Sequence, residues 1–420
     1  MADALIPGPE KGGTVVPAAE PVTRTARRAG GATSDDLRRQ NLARLLGIVH
    51  RSNGLIRADL TRRTGLNRST VGVCLTDLVQ LGAVEEGLGA SATGKGRPSP
   101  VITPAPDIVA LTVNPEVDAI TVGLVGLGGQ IRERWRVETE QRLTVKDVVD
   151  RTAAAVRALL SGRALRVAGL AVAVPGQVRS HDGHVRDAVQ LGWHEEPLAT
   201  ALADATGLPV RAANAAALGL SGEVAFGAGR GIEDLVYFIG GASGIGGGVV
   251  CGGRILQGSA GYGGELGHFY VGGRHLACPC GASGCLESEV LQHELLEALG
   301  LRPHEADQLD AALARSDDPA VRELVRRDLE LLGIAVRQAV NVFNPARVVL
   351  GGFLAPLYRN RPPDTELGGD AIRASRESVR VAAAELGADQ LIIGTAELAF
   401  AALLDDPAGH PPTPAAELLR

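Results

Sequence analysis

Over the first hundred residues the apolar positions recur at a helical period before giving way to strand-like runs. Leu42, Leu45, Leu46 and Val49 follow the i, i+3, i+4, i+7 spacing of an amphipathic helix, and Asn53-Gly54 ends it. A short second helix is predicted over residues 56–63. Thr64-Gly65-Leu66 then reads as a tight turn, in which Gly65 takes a left-handed conformation at no Cβ cost. Asn67 caps a third helix whose apolar face is Val71, Cys74, Leu75, Leu78 and Val79. Residues 83–88 and 101–103 read as a strand and its return, with the loop GASATGKGRPSP between them.

From residue 108 the pattern changes to short apolar or β-branched runs at 120–125, 167–174, 235–239, 247–251, 348–350 and 391–393, separated by turns and helical stretches. Alternation of this kind indicates an α/β sheet architecture. The longest helical run, 318–341, carries Leu324, Val325, Leu329, Leu332 and Val336 on one stripe and is expected to pack across lobes and join a dimer face. Both flanks lack apolar periodicity and are rich in small residues and proline, so 1–33 and 406–420 are expected to be disordered tails. Between them the chain divides into 34–105 and 106–405.

Charge sharpens this division. Between Arg24 and Arg68 eleven arginines face three aspartates, a local net of +8 that leaves −14 on the rest of a 420-residue chain whose formal net charge is −6. A basic segment on an acidic body points to a nucleic-acid module fused to something else. Turn and third helix make a helix-turn-helix, and the face opposite its core stripe presents Asn67, Arg68, Ser69, Thr70, Gly72, Val73 and Thr76. Short side chains with an arginine at the N-terminal end suit entry into a major groove. The loop after residue 88 reads as a wing. Lys95 and Arg97 stand at its tip, and Gly96-Arg97-Pro98 is like the extended core of minor-groove hooks; an ordinary basic linker is the competing reading. Arg24, Arg27 and Arg28 form either an arm against DNA phosphates or a solubilising tail. No apolar run reaches membrane-spanning length and no leader core is visible, so a cytoplasmic protein with no membrane partner is expected.

The candidate chemistry is concentrated between Glu265 and Glu287, GELGHFYVGGRHLACPCGASGCLE. Three of the chain's five cysteines stand here as Cys278-x-Cys280-x4-Cys285, with His268 upstream. Three soft donors and an imidazole make a tetrahedral zinc pattern, and crowded cysteines in a chain without a leader argue against disulfides. His275 lies closer to the cysteines and is an alternative fourth ligand.

G-E-x-G-H followed by C-x-C-G-x-x-G-C-x-E resembles the signature of the ROK family (repressors, open reading frames and sugar kinases). The resemblance implies zinc ligands at His268, Cys278, Cys280 and Cys285, and sugar-hydroxyl contacts from Glu265, His268 and Glu287. It also implies that a two-lobed, actin-like (ribonuclease-H-type) sugar-kinase fold follows the winged helix-turn-helix, with a cleft between lobes. Repressors of the family form homodimers or dimers of dimers. Val174-Pro175-Gly176 and Leu191-Gly192-Trp193 match sugar-side loops, with Gln190 in place of the usual asparagine. A competing role for Glu265 and Glu287 is only to orient the metal ligands.

Because the family contains both enzymes and regulators, its phosphoryl-transfer motifs decide the expectation. Where family kinases carry Asp-x-Gly-x-Thr, this chain reads Asn114, Pro115, Glu116, Val117 and Asp118. Two carboxylates there repel a nucleotide. The family's Asn-Asp-x-Asn aligns with Arg211, Ala212, Ala213 and Asn214; the base is replaced by a methyl group, which takes no proton. Asn214 remains able to bond a ligand. The run 240–248, GGASGIGGG, resembles a phosphate loop without its threonine. The sequence therefore reads as a non-enzymatic transcriptional regulator, a repressor of carbohydrate genes whose partners are operator DNA and a sugar or sugar-derivative effector. The alternatives are a sugar kinase with an appended DNA-binding domain and an interaction protein with no small ligand.

Overall fold

A computed structural model of the chain describes residues 33–52, 54–88 and 100–419. The N-terminal arm, Asn53, Lys95 and Arg97 lie outside them.

The head begins with helix α1 (Ser34–His50), where the Thr33 hydroxyl accepts from the amide of Asp36 and the Asp36 carboxylate accepts from that of Thr33, each at 3.1 Å. Strand β1 (Leu55–Ile56) leads into α2 (Arg57–Thr64), which stops at Gly65 with φ 67°. The Asn67 side chain then accepts from the Thr70 amide at 2.8 Å and starts α3 (Arg68–Gln80). Strands β2 (Val84–Leu88) and β3 (Pro100–Pro104) complete an antiparallel sheet of order β1-β3-β2. This is a winged helix-turn-helix. The expected stripes of α1 and α3 are buried except for Val79, which is 42% exposed. Eight residues after Val71 it has turned about 80° off the stripe.

Two lobes follow. The first contains β4 (Ile108–Pro115), β5 (Ala119–Gly126), β6 (Ile131–Glu138), α4 (Val145–Leu160), β7 (Arg166–Val174), β8 (Gln177–Val178), β9 (Val185–Ala188), β10 (Trp193–Glu196), α5 (Leu198–Thr206), β11 (Val210–Asn214) and α6 (Ala215–Phe226). The second contains β12 (Leu235–Gly241), β13 (Gly244–Cys251), β14 (Arg254–Ile255), α7 (Leu286–Glu289), α8 (Gln292–Ala298), α9 (Leu309–Arg315), α10 (Pro319–Phe343), β15 (Arg347–Gly352), α11 (Leu354–Arg359), α12 (Arg373–Ser378) and β16 (Arg380–Ala383). The chain then returns to the first lobe through α13 (Gln390–Asp405), β17 (Thr413–Pro414) and α14 (Ala415–Leu418). The sheets repeat one plan, β11-β7-β4-β5-β6 and β14-β13-β12-β15-β16: three antiparallel strands and two further strands parallel to the first. Their central strands are buried and correspondingly apolar.

Three expectations are corrected. Residues 391–393 belong to α13, because an apolar run too short to show its period is equally compatible with a helix buried all round. Glycines let α13 lie close to α6: a Cβ on Gly222 would sit 2.6 Å from the Gln390 carbonyl. The tail after 405 is ordered. β11 pairs with β7 only over Leu170–Val174, and the uncovered beginning of β7 accepts β17, with Ala415 buried behind it. Finally, one helical stretch, 387–405, is long and apolar enough to cross a membrane, but it is the core helix just described, packed against α6, β7, β4 and α1.

The head shares a core with one side of the first lobe's sheet and with α13, while the other side of that sheet has a core of its own. Leu45, Leu60, Leu75 and Leu78 of the head belong to the same buried cluster as Ile108, Val125, Ile392, Phe400 and Leu403. Fully buried His50, at the end of α1, accepts from the Gly128 amide at Nδ1 (2.8 Å), so its proton sits on Nε2 and is donated to Glu397 of α13 at 2.5 Å. The edges of Phe226 and Phe400 meet its ring at centroid distances of 5.3 and 5.6 Å. At the other end of the head, Arg166 of β7 holds Asp107 through two nitrogens and donates to the Gly82 carbonyl at 2.6 Å, just beyond α3. Phe400→Ala should therefore cost about 3–5 kcal/mol, and in denaturant titrations head and lobe probes should shift together in one transition. A head transition left at its wild-type midpoint would contradict a shared core.

Candidate functional site: an interlobe cleft, its metal loop and the exposed face of α3

On the head, Arg68, Ser69, Val73 and Thr76 lie on the exposed side of α3, with Val73 59% exposed. Part of the expected polar set is already committed. Asn67 is the cap and also accepts from the Ser69 hydroxyl at 2.7 Å, while Thr76 donates to the Gly72 carbonyl at 3.1 Å. Arg68 makes no ion pair among the described residues. An Arg38–Asp77 pair at 2.9 Å ties α1 to α3 and fixes that face.

A cleft of about 460 Å³ opens between the lobes. Strand ends and turns line it: Asn114 to Glu116 at the end of β4, Pro175 to Gln177 after β7, Asp187, Val189 and Gln190 at the end of β9, the start of α6, the β12–β13 hairpin and the cysteine loop. Glu265, His268 and Glu287 meet there as expected. His268 Nε2 is 4.0 Å from Glu265 and Nδ1 is 3.7 Å from Glu287. Burial raises the Glu265 carboxyl above its ordinary range; His268 opposes this and the charge of Glu287 adds to it. Asn214 is less free than expected, since its oxygen caps the Ala216 and Ala217 amides and its nitrogen donates to the Gly176 carbonyl at 3.0 Å. Ala212 is buried in the first lobe's core and does not line the cleft. Glu116 does line it, with its carboxyl raised by burial against the pull of Arg136, and Arg136 bonds both Glu116 and Asp118. That arginine, far along the sequence in β6, was not legible as a partner. At the hairpin, Gly244 has φ 118°, and a Cβ there would lie 2.9 Å from Glu287 Oε2.

The donor atoms of His268, Cys278, Cys280 and Cys285 all lie within 4.8 Å of one another. Cys278 Sγ is 3.5 Å from His268 Nδ1, and the Cys280 and Cys285 sulfurs are 3.8 Å apart. A tetrahedral cation with ordinary zinc bond lengths separates S and N by about 3.5 Å and two sulfurs by about 3.8 Å, so the donors fit such an ion. Burial raises the Cys278 and Cys285 thiols, and a divalent cation held there would supply the charge that releases their protons. His275 is the wrong histidine: it is exposed, left-handed at φ 56°, and contacts the Tyr270 hydroxyl at 3.3 Å. His268 offers Nδ1 to the metal site and leaves Nε2 toward the cleft, so one ring can serve both.

Sequence reasoning missed what shapes the loop. The Glu289 carboxylate, fully buried, accepts from the amides of Arg274 (2.8 Å) and Leu276 (2.7 Å). Arg274 then pairs with Glu294 at 2.6 Å, Glu294 with Arg327 at 2.7 Å, and Arg327 with buried Asp328 at 2.8 Å, linking the loop to α10. No local motif marks these residues, because their partners lie up to 33 positions apart. One Asp328 oxygen has no hydrogen-bond partner, and burial pushes its carboxyl up to about 6 from 3.8. The folded state therefore binds more protons than the unfolded one across that window, and stability falls as pH rises through it. Asp328→Asn should shrink the loss of stability between pH 4 and 7 by about 1–3 kcal/mol, read from urea midpoints; an unchanged pH slope would contradict this assignment.

The sequence profile of the ROK family matches residues 112–401. The chain is similar to the xylose repressor of Bacillus subtilis, 26% identical over 318 residues, covering 75% of this chain and 82% of the relative. It is also similar to the glucokinase of Thermotoga maritima, 33% identical over 251 residues, covering 55% of this chain and 78% of the relative. In three dimensions it resembles a crystal structure of a ROK family transcriptional regulator, a homologue of the E. coli MLC protein, with TM-score 0.70 and 22% identity over 88% of this chain and 97% of that one. That likeness extends the shared fold across head and both lobes.

Proposed function

Because the chain belongs to the ROK family, whose members here include both repressors and kinases, we propose that it is a sugar-responsive DNA-binding regulator. It represses transcription and leaves its operator when a sugar fills the interlobe cleft. The observation that carries this reading is the core shared by α3's domain and the first lobe: a DNA-reading face is built onto one wall of the cleft. Closure of the lobes on a ligand then turns the heads relative to the second lobes, and in a homodimer or dimer of dimers it changes half-site spacing. Similarity to a xylose repressor supports a carbohydrate effector.

Similarity to a glucokinase keeps phosphoryl transfer as the alternative. The cleft offers it little: the position aligned with the catalytic base is Ala212, in the core, and Glu116 occupies the wall where the first phosphate motif would lie. Zinc is the cation proposed for the Cys3His set; bound there, it cross-links the loop and fixes the His268 ring. Cys280→Ser should lose the metal by elemental analysis and lower the melting temperature. Zinc-free protein with an unchanged melting temperature would remove zinc from the account.

The regulator reading is tested with Glu265→Ala and Arg68→Ala. Glu265→Ala should bind operator DNA as wild type does but lose release by sugar, a response of roughly 5- to 150-fold for a typical coupling. Arg68→Ala should lose about 1–3 kcal/mol of operator discrimination. Sugar-dependent ATP consumption by the purified protein would instead establish the kinase alternative.

A further inference from the structure

The charges of the cleft define its ligand more narrowly than "a sugar", and this step rests on the reading of the cleft as the effector site. Among the described lining residues there are carboxylates at Glu116, Asp187, Glu265 and Glu287, and no lysine or arginine. Glu116 shares its one cation, Arg136, with Asp118. Asp187, half-buried on β9, has no ion pair or side-chain hydrogen bond among the described residues. A filled Cys3His site adds a further negative charge, since three thiolates outweigh one divalent cation, and Cys280 of that set also lines the cleft.

Two backbone features that could offset this are already met in part. The start of α6 faces the cleft, but Asn214 Oδ1 accepts from two of the amides of its first turn, Ala216 at 2.8 Å and Ala217 at 3.2 Å. The glycine-rich hairpin that resembles an anion nest is met by a carboxylate: Glu287 Oε2 sits 2.9 Å from the position a Cβ would take on Gly244. A narrow cavity lined by one sign of charge concentrates ligands of the other sign and repels those of its own.

We propose that the cleft selects an aminated, unphosphorylated sugar, with Asp187 receiving the protonated amine, and that it rejects sugar phosphates. Sugar hydroxyls remain for Glu265, His268 and Glu287, while the amine supplies the positive charge that the lining lacks. An acetylated amine carries no charge and loses the advantage.

Calorimetry on the zinc-loaded full chain tests this with matched probes on gluco, galacto and manno frames: the neutral hexose, the 2-amino sugar, its N-acetyl derivative and the hexose 6-phosphate. On the frame that binds, the free amine should be about tenfold tighter than the neutral and acetylated sugars, and the phosphate at least about a hundredfold weaker, the factors expected for one favourable and two unfavourable charge contacts. Asp187→Asn should erase the amine's advantage. Equal affinity for amine and neutral sugar, tighter binding of the phosphate, or an amine preference that survives in Asp187→Asn would overturn the proposal while leaving the cleft a sugar site. No binding by any probe would overturn the effector reading itself.

Discussion

The contact on which the architecture depends is that of α1 with α13. A histidine and a glutamate are taken fully or almost fully out of water there, a costly step offset only because each polar atom is met: Gly128 donates to one nitrogen of His50 and Glu397 accepts from the other. Two aromatic rings close over the pair, and the leucine stripes of the head continue into the same core. Directional hydrogen bonds inside an apolar contact fix one orientation, which apolar packing alone does not. α13 thus carries the head and, through its close glycine-mediated packing on α6, reaches the helix whose first turn opens into the cleft.

The second lobe brings the chemistry to the opposite wall. Its metal loop is shaped from beneath by Glu289 and is tied to α10 by alternating charges ending at Asp328. From above, His268 turns one nitrogen to the cysteines and the other to the cleft. A metal held by this set would therefore share His268 with the cleft, and order in the loop would become order in the cleft wall. Only the first-lobe wall shares a core with the head, so under the proposed function closure of the cleft is read at the DNA as rotation between lobes.

Much of this was legible in the residues. The Gly65 turn, the Asn67 cap and the leucine stripes are local signals whose physics is contained in a few neighbouring positions, and they locate the helix-turn-helix. The Cys278, Cys280 and Cys285 spacing located the metal loop, though the choice of His268 over His275 needed geometry, because sequence distance says nothing about where a ring points. α13 was misread as a strand: three apolar residues show no period, and only packing on several sides reveals the helix. Proline-rich composition hid the short β17, which forms because β7 leaves an edge uncovered. Arg136, Arg166 and Glu289 were invisible for a common reason, each completing a partner brought near by the fold alone.

The central claim is that head and first lobe move as one body against the second lobe. Spin labels introduced as non-cysteine residues at Gln80 and Lys146 report head to first lobe, and at Gln80 and Arg373 head to second lobe; all three positions are exposed. Pulsed dipolar distances measured with and without a sugar that stabilises the protein should leave the first pair unchanged and shift the second. A shift of the first pair with the second unchanged would contradict the account.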